Sequence, residues 1–306
     1  MTAYRYDGTF AGFLTCVWDA LERQTEPEGF LLPGDGASLW EERVMVTDER
    51  RARRLYAALA KRVSPAFQKL ISRGFLTCLP QKELDLLVLI RRGLREGDRV
   101  RLDLSDQVMA RVNLALAKMW TEWDHLKGFV RFSELDGVLV GEIEPKNRVL
   151  PLLAPHFAAR YSGERLALYD RTHHEIFLSD QGRWKLLPAE DFRMGPAGGE
   201  ERAFRAMWRK YYETIAIEGR LNPKCQSTHL PKRYRHVMTE FISDEEMEKS
   251  LPARGPAGSL EAGLQFRGHE GTTATANQGC GAGGYPMRTA STGAPAGQAQ
   301  KSGIST

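Results

Sequence analysis

The chain has 306 residues, of which 42% are hydrophobic, enough for one large or two ordinary domains with a sizeable core. Its formal net charge of +4 permits nucleic-acid binding but does not require it unless the positive charge is concentrated locally. The four cysteines lie far apart without CxxC spacing, no apolar run reaches membrane-spanning length, and the first residues lack the layout of a signal peptide. We therefore expect a soluble, cytoplasmic protein without an iron–sulfur cluster or a structural zinc site.

The first half of the chain, residues 8–126, is predicted to be mainly helical. A short strand over residues 3–7 ends at the turn pair Asp7-Gly8, and Thr9 can cap the amphipathic helix that follows. Further helices are predicted after Thr47 or Asp48 and over residues 65–78, 81–96 and 105–126. The short links between these helices are typical of a small bundle.

Two stretches of this half depart from the helical pattern. Residues 26–39 are rich in proline and glycine and predict a loop. The helix after Thr47 or Asp48 carries four arginines near its start, namely Arg50, Arg51, Arg53 and Arg54. These arginines either contact phosphate or form an ordinary solvated helix face.

Over residues 127–190 the hydrophobic period changes from helix to strand. Residues 129–132 alternate, and residues 137–143 answer them across Asp136-Gly137, a good hairpin signal. A helix over about 150–161 and strands near 165–169, 175–178 and 182–186 follow. The order β-β-α-β-β predicts an antiparallel sheet with a helix on one face, and hence an α+β fold. On the first strand Arg131 would share a face with Phe129, and an exposed arginine beside an aromatic ring can stack on a base.

Residues 200–236 carry more positive charge than the whole chain. From Arg202 to His236 nine Lys or Arg face two Glu, a formal +7. A helix is predicted here with one apolar stripe formed by Phe204, Met207, Trp208, Tyr211 and Ile215. Its opposite face would carry Arg202, Arg205, Arg209 and Tyr212, and a second cluster follows at Lys232, Arg233, Tyr234, Arg235 and His236. This combination favours a polyanion with flat bases, or else a solvated surface helix that packs through its aromatic stripe.

Residues 243–306 differ in character from the rest. After an acidic stretch at 243–249 they are rich in Gly, Ala and Thr and show no periodicity, so a disordered tail is predicted. The remaining 1–242 would form the α+β domain.

Motifs for common chemistries are missing from the sequence. It contains no GxGxxG or GxxxxGK[ST] phosphate loop, no GxSxG elbow and no zinc-hydrolase motif, so no cofactor and no metal are predicted. His173 and His174 would point to opposite faces of a strand and could not easily chelate one ion. Asp7 and His156 are weak candidates for acid or base chemistry. Asp7 alternatively caps the first helix, and His156 with Arg160 either faces a phosphate or is a plain exposed pair.

Three separated motifs carry a family resemblance. They are YRYDGTFAGFL at 4–14, HLKGFVRF at 125–132, and MWRKYY with RLNP and LPKRY between 207 and 234. In the same order over about residues 1–242 they resemble a bacterial family of unknown function whose members are labelled probable DNA metabolism or DNA repair proteins. The motif positions are Tyr4, Asp7, Gly8, Phe129, Arg131, Phe132, Trp208, Tyr211, Asn222, Pro223, Pro231, Arg233 and Tyr234.

The resemblance implies a context in DNA repair or base modification. Members of that family are fused to a uracil-DNA glycosylase domain or paired with a radical S-adenosylmethionine protein, and this chain has the cysteines of neither. It therefore resembles the companion domain alone, which is expected to bind DNA rather than to catalyse a reaction by itself. The family supplies no catalytic residues to transfer. The expected nucleic-acid contacts are Arg131, Arg202, Arg205, Arg209, Tyr212, Arg220, Lys232, Arg233, Tyr234 and Arg235.

Two other functions remain open from the sequence. One is an enzyme that acts on a nucleobase or nucleotide, for which a cleft holding Asp7, His125, Arg131 and Trp208 together would be evidence. The other is an adaptor that docks a radical S-adenosylmethionine enzyme through exposed aromatic residues. If the basic face binds DNA, reversing Arg205 and Arg209 to Glu should abolish binding and leave the fold intact.

Overall fold

The structure, a computed structural model, describes residues 2–103, 105–190, 192, 199–215 and 222–241. Helices α1–α9 span Phe10–Arg23, Glu49–Arg62, Pro65–Phe75, Lys82–Glu96, Arg99–Leu102, Gln107–Phe129, Leu150–Arg160, Gly199–Ile215 and Pro223–His229, and a 3-10 helix spans Lys232–Val237. Strands β1–β8 span Thr2–Arg5, Gly29–Leu31, Glu41–Val44, Phe132–Leu135, Val138–Ile143, Leu166–Asp170, Glu175–Asp180 and Arg183–Pro188. The predicted mixture of helices and sheet is confirmed, whereas the predicted tail lies outside the described residues.

The N-terminal sheet has three parallel strands in the order β2-β1-β3. Strand β2 lies inside the stretch predicted to be a loop, so that prediction is wrong for residues 29–31. Strands of three or four residues are too short to show an alternating pattern, and none of the side chains of β3 is buried. The central strand holds the sheet together through Arg5, whose guanidinium donates to Glu42 and to the carbonyl oxygens of Leu32, Asp35 and Gly36.

Helix starts in this region follow the predicted caps. Thr9 Oγ1 accepts from Gly12 N at 2.9 Å, and Asp48 accepts from Arg50 N and Arg51 N. Buried side chains of α1–α4 and the start of α6 form one continuous core with β1, which contains Phe13, Leu59, Phe67, Ile90 and Met109. The predicted caps at Thr9 and Asp48 are therefore confirmed, and helices form in each of the predicted stretches.

The second sheet has five strands in the order β4-β5-β6-β7-β8. Its hairpin turn at Asp136-Gly137 is confirmed, since both residues adopt positive φ angles (51° and 73°) as a two-residue hairpin loop requires. The prediction of an antiparallel sheet is wrong for one pair, because β5 and β6 run parallel. The connection between them contains α7, and a helical crossover of this kind allows neighbouring strands to point the same way.

The junction before this sheet also differs from the prediction. Helix α6 continues through Phe129, and β4 begins only at Phe132, so Phe129 and Arg131 do not share a strand face. Val130 N still donates to the carbonyl of Leu126, as at a helix end. The ring of Phe129 packs against Tyr234, a contact more than 100 residues away that no local pattern reveals.

The two faces of the second sheet are covered differently. On one face Leu168 and Phe177 belong to a second core with α6 and α7, which also contains Met119, Leu153 and Phe157. On the other face lies Ser133 of β4, which pairs with Val140, and both are buried. None of the helices in the described ranges combines the length and hydrophobicity needed to cross a membrane.

The three cysteines in the described part of the chain should differ sharply in reactivity. Cys16 lies in the first core, where burial raises the pKa of its thiol to about 12, whereas Cys78 and Cys225 are exposed. We expect iodoacetamide at mildly alkaline pH to alkylate Cys78 and Cys225 in the native protein and to reach Cys16 only after denaturant is added. Peptide mass spectrometry measures this, and equal native labelling of Cys16 would contradict the placement of α1.

Candidate nucleic-acid interface

Helix α8 packs on the protein with the face opposite to the one expected. Among its described side chains the least exposed are Glu201, Arg205 and Arg209, spaced four residues apart. Arg205 is only 6% exposed, donates from Nε to Glu201 at 2.8 Å, and donates from Nη2 to Ser133 Oγ at 2.5 Å. The prediction that Arg205 faces solvent is therefore wrong, because its guanidinium joins α8 to β4.

The apolar stripe of α8 faces solvent instead. Its five large side chains are between 44% and 62% exposed, and they are Phe204, Met207, Trp208, Tyr211 and Ile215. The rings of Trp208 and Tyr211 stack with centroids 5.5 Å apart and planes 27° from parallel. A contiguous row of exposed large apolar side chains is typical of an interaction site.

The second core explains why α8 does not bury its stripe. That core is filled by α6, α7, the second sheet and the C-terminal residues Tyr234 and Met238. The opposite face of the sheet offers α8 a buried hydroxyl at Ser133, which a guanidinium can satisfy by hydrogen bonding. The spacing of apolar residues shows that a helix is amphipathic, but the surface it meets decides which face turns inward.

Arg131 is held by the last described residues. Its guanidinium donates to Glu240 from Nε at 3.0 Å and from Nη2 at 2.7 Å, and the Glu240 side chain is only 6% exposed. A bidentate pair with a nearly buried carboxylate is a strong, geometrically specific contact. Through this pair Arg131 joins the C-terminal segment to the junction between α6 and β4, so its guanidinium is engaged within the protein.

Tyr234 is buried and is not available for stacking on a base. Its ring packs on Phe129 (centroids 5.3 Å apart) and on His125 (5.6 Å), and burial raises the pKa of its hydroxyl. Arg233 covers the ring at 4.5 Å and donates to the tyrosine hydroxyl. The expectation that Tyr234 contacts bases is therefore wrong for this arrangement.

Arg233 forms an ion pair with Glu122, a buried carboxylate that also accepts several hydrogen bonds. This carboxylate is 1% exposed and accepts from Lys146 N at 3.0 Å, from Asn147 N at 2.8 Å and from Asn147 Nδ2 at 2.6 Å. Arg233 lies 3.2 Å from it, and Asn147 Oδ1 accepts from Cys78 N. Helix α6, the β5–α7 loop and the C-terminal segment thus meet at Glu122, and Asn147 extends the network to the α3–α4 loop.

The other expected contacts fall into two groups. Arg202 and Lys232 are exposed and Arg209 is half-buried, while Arg235 stacks over Phe241 at 5.3 Å and donates to the carbonyl of Leu230. Arg220 and the side chain of Tyr212 lie outside the described residues. Asn222 caps α9 by accepting from Cys225 N, and Pro223 begins that helix.

Asp7 accepts hydrogen bonds from two threonines and so holds neighbouring segments together. Its carboxylate accepts from Thr47 Oγ1 at 2.6 Å and from Thr9 Oγ1 at 2.7 Å. Burial alone would raise its pKa, but these hydrogen bonds outweigh burial and hold the pKa below its usual range. Only a glycine fits at position 12, because a Cβ there would lie 2.1 Å from Asp7 Oδ1.

In the described part of the chain, the four residues expected to line an enzyme cleft contact different neighbours. No hydrogen bond, ion pair or ring contact there joins Asp7, His125, Arg131 and Trp208 to one another. His156, the other weak candidate, has a pKa lowered by burial and by the nearby cations Lys127 and Arg160.

Sequence reasoning missed Glu122, Asn147 and Glu240. For Glu122 a signal existed, because Met119, Glu122 and Leu126 recur at helical spacing and all three are buried. A carboxylate on the apolar face of a helix predicts buried donors nearby. For Asn147 and Glu240 no local signal was present, since their partners are 25 and 109 residues away.

Comparison with protein-family models gives a match that covers more than half of the chain. A model described as a domain of unknown function, DUF4130, matches residues 80–240. The chain belongs to this family. Comparison with curated proteins gives no match. The DUF4130 range begins just before α4 and ends at Glu240, so it contains the second sheet, α8 and both partners of the Arg131–Glu240 pair.

Replacing Glu122 by Gln should destabilise the protein by about 2–3 kcal/mol, because an amide would turn an NH₂ group toward buried donors. Urea unfolding measures the change. The matched control is Glu144→Gln, which removes an exposed carboxylate paired with His236 and should change stability by less than about 0.5 kcal/mol. Equal effects of the two variants would contradict the hub role of Glu122.

Replacing Arg205 by Glu should release α8 from the sheet, because it places two carboxylates side by side against a buried hydroxyl. We expect amide hydrogen exchange over residues 199–215 to become at least about tenfold faster, the equivalent of roughly 1.4 kcal/mol. Lys210→Glu, on an exposed position of the same helix, should leave exchange nearly unchanged. Unaltered exchange in Arg205→Glu would show that the inward contact does not hold the helix.

Proposed function

We propose that this protein binds single-stranded DNA as the companion of a repair or base-modifying enzyme, and that α8 is its contact surface. The observation that carries the proposal is the solvent-facing row of aromatic rings on a helix rich in cations. Phe204, Trp208 and Tyr211 each expose 44–62% of their surface. Bases stack on such rings in a sequence-tolerant way, with about 1–3 kcal/mol for each stacked base.

The charge of the same segment favours a polyanion. Residues 202–212 contain Arg202, Arg205, Arg209 and Lys210 and not one acidic residue. Arg205 is buried and paired with Glu201, whereas Lys210 and Arg202 are exposed on the same helix. Rings for bases and cations for phosphates are the two components that single-strand binding combines.

The choice of DNA, and of a repair or modification context, rests on the family resemblance described above. The same resemblance supports a radical S-adenosylmethionine protein or a uracil-DNA glycosylase-like protein as partner. A binding role is favoured over catalysis because the candidate acid–base groups in the described residues are dispersed or engaged in structural contacts.

A second candidate function draws on the same surface. The stripe residues recur at i, i+3, i+4 and i+7, the spacing by which a helix anchors in the apolar groove of another protein. In that case α8 would dock the partner enzyme directly, and DNA affinity would appear only in the complex. Nucleic-acid binding by the full chain alone separates the two functions.

Binding of a fluorescent single-stranded oligonucleotide to the full chain, followed by anisotropy across a salt series, tests the proposal. Removing two stacking rings in Trp208→Ala/Tyr211→Ala should weaken binding at least about 30-fold, since the loss is at least about 2 kcal/mol. The affinity of the wild type should fall steeply with salt.

The matched control is Trp40→Ala, because Trp40 is 38% exposed on the N-terminal part of the chain, close to the 44% of Trp208. It should bind like the wild type. If the α8 variant also binds like the wild type, single strands do not contact the stripe. If the wild type does not bind at low salt, the docking function is favoured instead.

A further inference from the structure

Helix α2 carries a second concentration of positive charge, remote in sequence from α8. Residues 50–62 contain six Lys or Arg and no acidic residue, a formal +6 in a chain whose net charge is +4. Four of these cations, at positions i, i+3, i+4 and i+11, lie on one face: Arg50, Arg53, Arg54 and Lys61. We call this row the α2 stripe.

The α2 stripe points directly away from the protein. The buried residues of α2 are Ala52, Leu55 and Leu59, which lie in the first core on the opposite side of the helix. All four cations of the stripe are exposed. The helix is thus anchored by its apolar side and presents a straight row of charge about 16 Å long, from eleven residues at about 1.5 Å each.

Two of the four side chains are positioned by their neighbours. The guanidinium of Arg54 lies over the Trp18 ring at 5.5 Å, and Arg53 lies 3.6 Å from Glu49. The described structure shows no ion pair or hydrogen bond for the side chains of Arg50 and Lys61. The stripe therefore combines partly ordered cations with cations whose charge is not neutralised by a described neighbour.

We propose that the α2 stripe binds the phosphate backbone of duplex DNA without reading its sequence. B-form DNA presents one negative charge for every 1.7 Å of axis, so a stripe of about 16 Å faces roughly nine phosphate charges. Between the cations the helix contributes only Ala57 to the stripe, and the neighbouring Trp18 ring lies under the guanidinium of Arg54. A stiff row of charge with no ring of its own matches a stiff double helix better than a single strand.

A membrane surface is the other polyanion to consider, and the packing argues against it. Helices that lie in a bilayer interface insert an apolar face beside their basic one. The apolar face of α2 is already buried in the first core, so only charge is left to meet a lipid headgroup. Contacts to phosphate alone fit nucleic acid.

This inference extends the proposed nucleic-acid function to a second surface and a different form of DNA. The test uses the full chain and a fluorescent blunt duplex without single-stranded ends, titrated across a salt series. The variant is Arg50→Glu/Arg53→Glu/Lys61→Glu, which keeps Arg54 on Trp18. The control is Arg99→Glu/Lys118→Glu/Arg165→Glu, three exposed cations elsewhere with the same change of charge.

If the stripe binds the backbone, the plot of log K against log salt should be less steep for the α2 variant than for the wild type. The magnitude of the slope should be smaller by about 2–3, because each lost phosphate contact removes about 0.9. The control should retain most of the wild-type slope. Equal slopes in the two triple variants would overturn the inference. So would an α2 variant that binds the duplex like the wild type but no longer binds phosphatidylserine vesicles, because the stripe would then contact a membrane.

A single-stranded oligonucleotide separates this inference from the proposed function. Trp208→Ala/Tyr211→Ala should lose single-strand affinity and keep the duplex salt slope. The α2 variant should keep the single-strand affinity of its control and show a reduced duplex salt slope. Loss of duplex binding in the α8 variant, with none in the α2 variant, would place both forms of DNA on α8 and overturn the α2 site.

Discussion

A buried carboxylate organises the DUF4130 part of this protein. Glu122 lies on the apolar face of α6, and water cannot hydrate it there, so protein donors must satisfy it. Those donors come from the β5–α7 loop and from Arg233, and Asn147 extends the network to Cys78 in the α3–α4 loop. One desolvated charge thereby fixes the relative positions of segments that are far apart in sequence.

The C-terminal segment is likewise held in position by ion pairs and ring contacts with distant residues. Arg233 meets Glu122, Tyr234 fills a gap beside Phe129, and Arg131 clamps Glu240. These residues are basic and aromatic, the composition expected of a nucleic-acid surface, yet they contact other residues of the same protein. The ligand surfaces we propose lie on α8 and, in the N-terminal part, on α2, and their exposed side chains are mainly rings on α8 and cations on α2.

Local signals in the sequence predicted local structure well. The caps at Thr9 and Asp48 and the turn at Asp136-Gly137 depend on side chains and φ angles within a few residues, so they can be read without the fold. The parallel β5–β6 pair and the short strands β2 and β3 could not be read this way. Strand pairing depends on partners brought together by a crossover helix, and three residues carry too little pattern.

For the candidate site, the sequence by itself determined which residues form each amphipathic helix and where positive charge is concentrated, because both depend only on residue order. The tertiary structure alone decided which face of α8 is buried, since a buried hydroxyl at Ser133 accepts the guanidinium of Arg205 while the second core is already filled. It also decided that Arg131 and Tyr234 are internal, because their partners, Glu240 and Phe129, lie more than 100 residues away along the chain.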